Sequence, residues 1–185
     1  SNEAFLTAGG NISQPAGNLT VFGNVTLDAV NNVTLDQTDN DFQSEVRLLD
    51  GVQDVMVSDA NNITFAGANV DGTFGVNAGT DILQSGALNI VEDTTLWAGN
   101  NITLTEADND FQSNVTISTA KDVLLLDKNS IQLGGVSSVS GTLGVNASAG
   151  NITTSATSVL NVTGAVDFDA SNNITLGGNA TLSDE

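Results

Sequence analysis

Two short acidic motifs have residue types and spacing suited to holding an ion. Asp39–Asn40–Asp41 and Asp108–Asn109–Asp110 lie 69 residues apart, and each runs into a phenylalanine, Phe42 and Phe111. Their clustered oxygens suit Ca²⁺, a hard cation that prefers carboxylates and carbonyls. Asp39, Asp41, Asp108 and Asp110 are therefore candidate metal ligands, with Ca²⁺ the one cofactor the sequence suggests. Neither motif carries an EF-hand loop or the glycine-rich nonapeptide of Ca²⁺-binding β-rolls. The competing reading is a turn whose Asp and Asn side chains satisfy nearby backbone N–H groups. A turn that must recur explains the repetition equally well, and it is the favoured reading.

Twelve Asn-X-Ser/Thr triplets offer a second chemistry, attachment of glycans. Asn32, Asn62, Asn101 and Asn173 are the candidates that also sit in Asn-Asn bends. A bend Asn followed by an inward Val or Ile and an outward Thr generates the same triplet with no modification. These four would then stack as a ladder sharing amide hydrogen bonds between coils. Trp97, the sole Trp, follows an inward Leu96 and so points outward, where it could stack on a sugar ring or on a neighbouring rod.

Catalysis finds little support. The 185 residues contain no His and no Cys, and the three cations, Arg47, Lys121 and Lys128, are scattered. Carboxylate-based cleavage of an acidic polysaccharide needs several acids converging on a groove, with basic groups to hold the substrate. No catalytic residue is assigned, and the expectation is that the chain is not an enzyme. A formal charge of −19 repels phosphate backbones and anionic lipid head groups, so nucleic acid is not an expected partner. No apolar run approaches the roughly 18 residues that span a bilayer, so membrane insertion is not expected. No leader-like start is present either.

The elements that would position these residues come from internal repetition. Asn31–Leu48 reads NNVTLDQTDNDFQSEVRL and Asn100–Ile117 reads NNITLTEADNDFQSNVTI. GTFGVNAGTDI at Gly72–Ile82 is answered by GTLGVNASAGNI at Gly141–Ile152. The whole of 1–185 thus reads as one segment: a partial copy at 1–30, copies at 31–99 and 100–171, and the start of another at 172–185. Inside each copy apolar anchors recur every eight residues, as Leu19, Leu27 and Leu35, then Leu88, Leu96 and Leu104, then Leu160, Phe168 and Leu176. Each anchor sits in an apolar/polar alternation bounded by Asn, Asp or Gly, the pattern of a short strand between tight bends. Such strands are stable only when stacked coil on coil, so the fold expected is an all-β solenoid with about three strands per coil and essentially no α-helix. Dividing the 69-residue unit by three suggests about 23 residues per coil and about eight coils.

ILQSGALNIVEDTTLWAGNNITL (Ile82–Leu104), NDFQSNVTI (Asn109–Ile117) and KDVLLLDKNSIQLGGVSSVSGTLGVNA (Lys121–Ala147) resemble the running pattern of filamentous-haemagglutinin-like exoproteins. The resemblance extends over nearly the whole chain. It implies a right-handed parallel β-helix, export by a two-partner or autotransporter route, and a secreted or cell-surface location. The function it implies is that of a shaft segment in a large bacterial adhesin, supporting adhesion or biofilm. Its partners would be a host or neighbouring-cell surface, extracellular matrix, or other copies of itself end to end. Two alternatives stand beside it: a self-polymerising matrix fibre assisted by Ca²⁺, and a carbohydrate-binding β-helix.

Overall fold

A computed structural model describes residues 3–183. It is all-β, with 24 short strands and no α-helix among the described residues, and every strand pairing is parallel. The chain winds into a β-solenoid of nine coils. One sheet collects Ala4–Ala8, Val25–Ala29, Glu45–Leu48, Ile63–Val70, Ile82–Ile90, Ile102–Leu104, Val123–Asp127, Leu143–Ala147 and Val166–Ala170. A second collects Ile12–Ser13, Val33–Leu35, Val55–Asp59, Phe74–Ala78, Thr94–Ala98, Asn114–Thr119, Ile131–Leu133, Ile152–Thr154 and Ile174–Leu176. At about 4.8 Å per coil the stack is a rod roughly 40 Å long.

Alternation along each strand puts one set of side chains inside. Val25, Leu27 and Ala29 are buried while Thr26 and Asp28 are not, and the same pattern recurs in Phe74–Ala78 and Leu143–Ala147. Stacking converts this alternation into ladders: Val33, Val55, Phe74, Thr94 and Val115 follow one another in register through the core. Phe65 and Phe74 meet edge to face inside it, ring centres 5.2 Å apart. Full burial of each Val, Leu, Ile or Phe contributes about 1.5–3 kcal/mol, and the core runs the length of the rod.

The coil is shorter than the sequence arithmetic suggests. In the first sheet one coil takes 19 residues from Ile63 to Ile82 and 23 from Leu143 to Val166, which is why the rod holds nine coils rather than eight. The 69-residue unit is therefore not three coils. Val33 climbs through Val55 and Phe74 to Thr94, three full turns in the second sheet, and one further corner leads to Ile102 in the first sheet. The next unit reverses the exchange, climbing from Ile102 through Val123 and Leu143 to Val166, then turning the corner to Ile174 in the second sheet.

Equivalent residues of successive units thus lie on alternate sheets. The long side of the coil moves with them. It runs from the second sheet back to the first at Thr20–Val21 and Asp41–Phe42, and from the first to the second at Asp110–Phe111. It then returns to its original place at Val136–Val139 and Val159–Val162.

Candidate functional site

The polar residues singled out by sequence fall into three settings: corner ladders, two buried nodes, and an outward aromatic. At most corners, the residue just before the first inward residue of a strand lends its side-chain oxygen to the backbone N–H one coil above. Along the first sheet Asn62 accepts from Asp81 N–H at 3.1 Å, Asp81 from Asn101 at 2.9 Å, Asn101 from Asp122 at 3.2 Å and Asp122 from Thr142 at 2.8 Å. Along the second, Asn11 accepts from Asn32 at 3.2 Å, Asn32 from Asp54 at 3.2 Å and Asp54 from Thr73 at 3.0 Å. Farther up, Asn173 donates its N–H to Asn151 Oδ1 at 3.0 Å.

Asn32, Asn62, Asn101 and Asn173 do belong to ladders. They do not stack on one another with shared amide bonds, however: Asn32 and Asn62 lie on different sheets, and the rungs run from side-chain oxygen to backbone N–H, which Asp serves as well as Asn. Cross-coil hydrogen bonds, the Asp54 and Asp122 rungs and a further set accepted by Asp93 from Ser113 and Asn114, hold these three carboxyls below the ordinary value of 3.8. The main donors are the Thr73 N–H for Asp54, the Ser113 hydroxyl for Asp93 and the Thr142 N–H for Asp122.

The two DND motifs build the nodes. Their middle residues, Asn40 and Asn109, are fully buried, whereas Asp39 and Asp108 are exposed. Asn40 and Gln14 exchange two amide hydrogen bonds at 2.8 Å, and Asn40 Oδ1 also accepts the Leu19 N–H at 2.8 Å. Asn109 repeats this with Gln84 at 2.8 and 2.9 Å and with the Leu88 N–H at 2.9 Å. Above each node an Asp closes the bend. Asp59 accepts the N–H groups of Phe42 at 2.7 Å and Asn61 at 2.6 Å. Asp127 accepts those of Phe111 at 2.7 Å and Asn129 at 2.6 Å. Burial lifts both carboxyls above 3.8, the neighbouring Asp41 or Asp110 adds to the rise, and the Phe N–H bonds oppose it.

One difference separates the nodes: Lys128 Nζ sits 2.9 Å from Asp110 Oδ2, while the residue in its place in the other node is Ala60. The four acids proposed as Ca²⁺ ligands are thus divided between two distant nodes. Among the described residues no three His, Cys, Asp or Glu side chains gather closely enough to hold a metal ion. In the structure these motifs work as turns, through Asn40, Asn109, Asp59 and Asp127.

Sequence reasoning missed Gln14, Gln84, Asp59 and Asp127. The usable signal was the paired occurrence of Ile-Ser-Gln with Ile-Leu-Gln, and of Asp-Ala-Asn with Asp-Lys-Asn, at nearly the repeat spacing. Trp97 stands where alternation puts it, pointing outward from the second sheet and 47% exposed.

No curated protein and no solved structure gives a significant match to this chain. One family of sequence repeats does match, in three consecutive blocks covering residues 2–49, 52–118 and 120–182. By that coverage, the chain belongs to the family described as repeats of unknown function, DUF5649.

Proposed function

We propose that this chain is a shaft segment of a large secreted or surface-displayed bacterial adhesin, a stiff acidic spacer that holds a binding region away from the cell and performs no catalysis. The observation that carries this reading is the unbroken hydrogen-bonded stack. Nine coils follow one another in parallel register, and side-chain ladders at two corners tie each coil to the next. A solenoid built in this way carries load along its axis, because every coil is hydrogen-bonded to the next over its whole length. The acidic surface keeps such rods from associating with phosphate-rich polymers and anionic membranes. The resemblance of Ile82–Leu104, Asn109–Ile117 and Lys121–Ala147 to filamentous-haemagglutinin-like exoproteins supports the surface location and the adhesive role.

The test is antibody labelling of the source bacterium with serum raised against the folded chain, combined with adhesion assays on the same cells. Labelling of intact cells, with adhesion lost when the gene is deleted, is the expected result. Labelling confined to lysed cells would overturn the proposal.

A further inference from the structure

We propose that Trp97 and the hollows beside it form a lateral subsite for a neutral, hydroxyl-rich sugar chain. The indole borders two depressions on the outer face of the second sheet. One, of about 350 Å³, is lined by Met56, Gly75, Asn77, Thr95 and Ser118 together with Trp97. The other, of about 220 Å³, has Gly79, Gly99, Thr119 and Lys121 around the same indole. An exposed aromatic surface ringed by hydroxyl and amide groups matches the two kinds of surface on a pyranose, apolar C–H faces and an equatorial rim of hydroxyls.

The second unit of the repeat indicates that Trp97 is not required by the fold. Met56, Gly75 and Thr95 are register neighbours in three successive coils, and Asn77 pairs with Trp97. On the other sheet Leu124, Gly144 and Asp167 occupy the same places, and Asn146 pairs with Asp169. The apolar residue fills the glycine notch in both: a Cβ on Gly75 would meet Met56 Sδ at 2.6 Å, and one on Gly144 would meet Leu124 Cδ2 at 2.7 Å. The rungs below the position are thus built alike, with Asn beneath it in both, and the outward place is taken by Asp in the last strand of the other sheet.

The substitution also changes the neighbouring amide. Asn146 Nδ2 donates to Asp169 Oδ2 at 3.1 Å. The indole of Trp97 offers Asn77 no such acceptor, since its N–H can only donate. The strand above slips at this point, Leu96 pairing with Ile117 and Trp97 with Thr119. That bulge leaves Ser118 to place its hydroxyl at the edge of the hollow, as bulges do beside sites that must re-aim a side chain.

Charge selects the class of sugar. The larger hollow has no ionisable group, and the one cation of the smaller hollow, Lys121, lies 3.6 Å from Asp122. On a rod of charge −19 an anionic glycan is repelled, and a neutral one is not. The inference is independent of the shaft proposal: a spacer can carry this subsite or lack it.

Trp97 is the sole tryptophan, so intrinsic fluorescence of the full chain reports this site alone. The chain is titrated with cellohexaose, maltohexaose and N-acetylated chitohexaose to about 5 mM, beyond the roughly millimolar Kd of one stacked ring. A saturable blue shift with at least one of them is expected. By calorimetry, Trp97→Asp should weaken that binding about tenfold or more, with an unchanged melting curve because Asp169 fills the same place in the other unit. Trp97→Phe, which keeps an aromatic face, should retain most of it. Three outcomes overturn the proposal: no saturable change with any of the three sugars, binding undiminished in a folded Trp97→Asp, or a response only to oligogalacturonate of equal length.

Discussion

Phe42 donates its N–H to Asp59 Oδ2 at 2.7 Å across one coil of the solenoid, and Phe111 makes the same bond to Asp127 at 2.7 Å on the opposite long side. Each carboxylate also receives the N–H two residues ahead of itself, Asn61 or Asn129. Both acids are almost completely buried, at 2% and 0% exposure. Removing the side chain therefore strands the buried Phe N–H away from water and also frees the N–H of the exposed Asn61 or Asn129. Asp59→Ala and Asp127→Ala should each cost about 2–4 kcal/mol. Asp59→Asn, which keeps an acceptor oxygen, should cost less than half as much. Urea unfolding of the three variants checks this, and an Asp59→Ala loss under about 1 kcal/mol would show that the bend is satisfied by other means.

Close stacking at one corner makes a second, sharper prediction. A Cβ built on Gly79 would lie 2.0 Å from the Ala60 carbonyl oxygen and 2.7 Å from its carbon, both backbone atoms that cannot swing aside. Gly99 stands in the same relation to Gly79, at 2.1 Å. Gly9, by contrast, has nothing within 4 Å. Gly79→Ala should separate neighbouring coils and lower stability by about 3 kcal/mol or more, whereas Gly9→Ala should leave it within about 0.5 kcal/mol. Thermal melts of the two proteins side by side decide the point. Equal melting temperatures would mean that the corner relaxes without cost.

These two sites mark what was legible in the sequence and what was not. The eight-residue beat of Leu27 to Leu35 and Leu96 to Leu104 is visible because both residues of each pair face inward across one short corner. The outward position of Trp97 follows from the same alternation. Coil length was misread because the 69-residue echo invites division into whole turns. The actual path from Val33 to Ile102 adds a corner to three turns and changes sheet. The DND motifs look like ion ligands because their acids are conspicuous, yet the residue that matters is the Asn between them. Its burial depends on Gln14 or Gln84, each a full coil away and set by no local pattern. Cross-coil partners of this kind become readable only once the register is known.

Acid should act on the rod in two opposite stages. Asp59 and Asp127 have folded-state pKa values raised above 3.8, so the folded protein binds their protons more readily than the unfolded chain does. As pH falls through those raised values stability should increase, helped by the fall in net negative charge. Asp54, Asp93 and Asp122 have lowered values, and their contribution is present above 3.8 and lost as pH drops through the folded values below it. Melting temperature plotted against pH should therefore climb from neutrality towards mildly acid conditions and then drop below about 3.8. In Asp59→Asn/Asp127→Asn the drop should persist while part of the climb disappears. A curve that falls steadily from pH 7 would contradict the assignment.

The core itself contains an avoidable cost. Thr94 occupies an inward rung between Phe74 below and Val115 above, yet its hydroxyl is buried with no hydrogen-bond partner. A hydroxyl withdrawn from water without compensation costs about 1–3 kcal/mol, and a methyl in its place would continue the apolar ladder of Phe74 and Val115. Thr94→Val keeps the β-branch and the volume, so it should raise stability by about 1 kcal/mol. Thr95→Val, one position along and facing outward, should change it little. The pair separates burial of the hydroxyl from strand propensity, since both substitutions raise the latter equally. Equal gains in urea midpoint would assign the effect to propensity, and a gain confined to Thr94→Val would identify the stranded hydroxyl as its source.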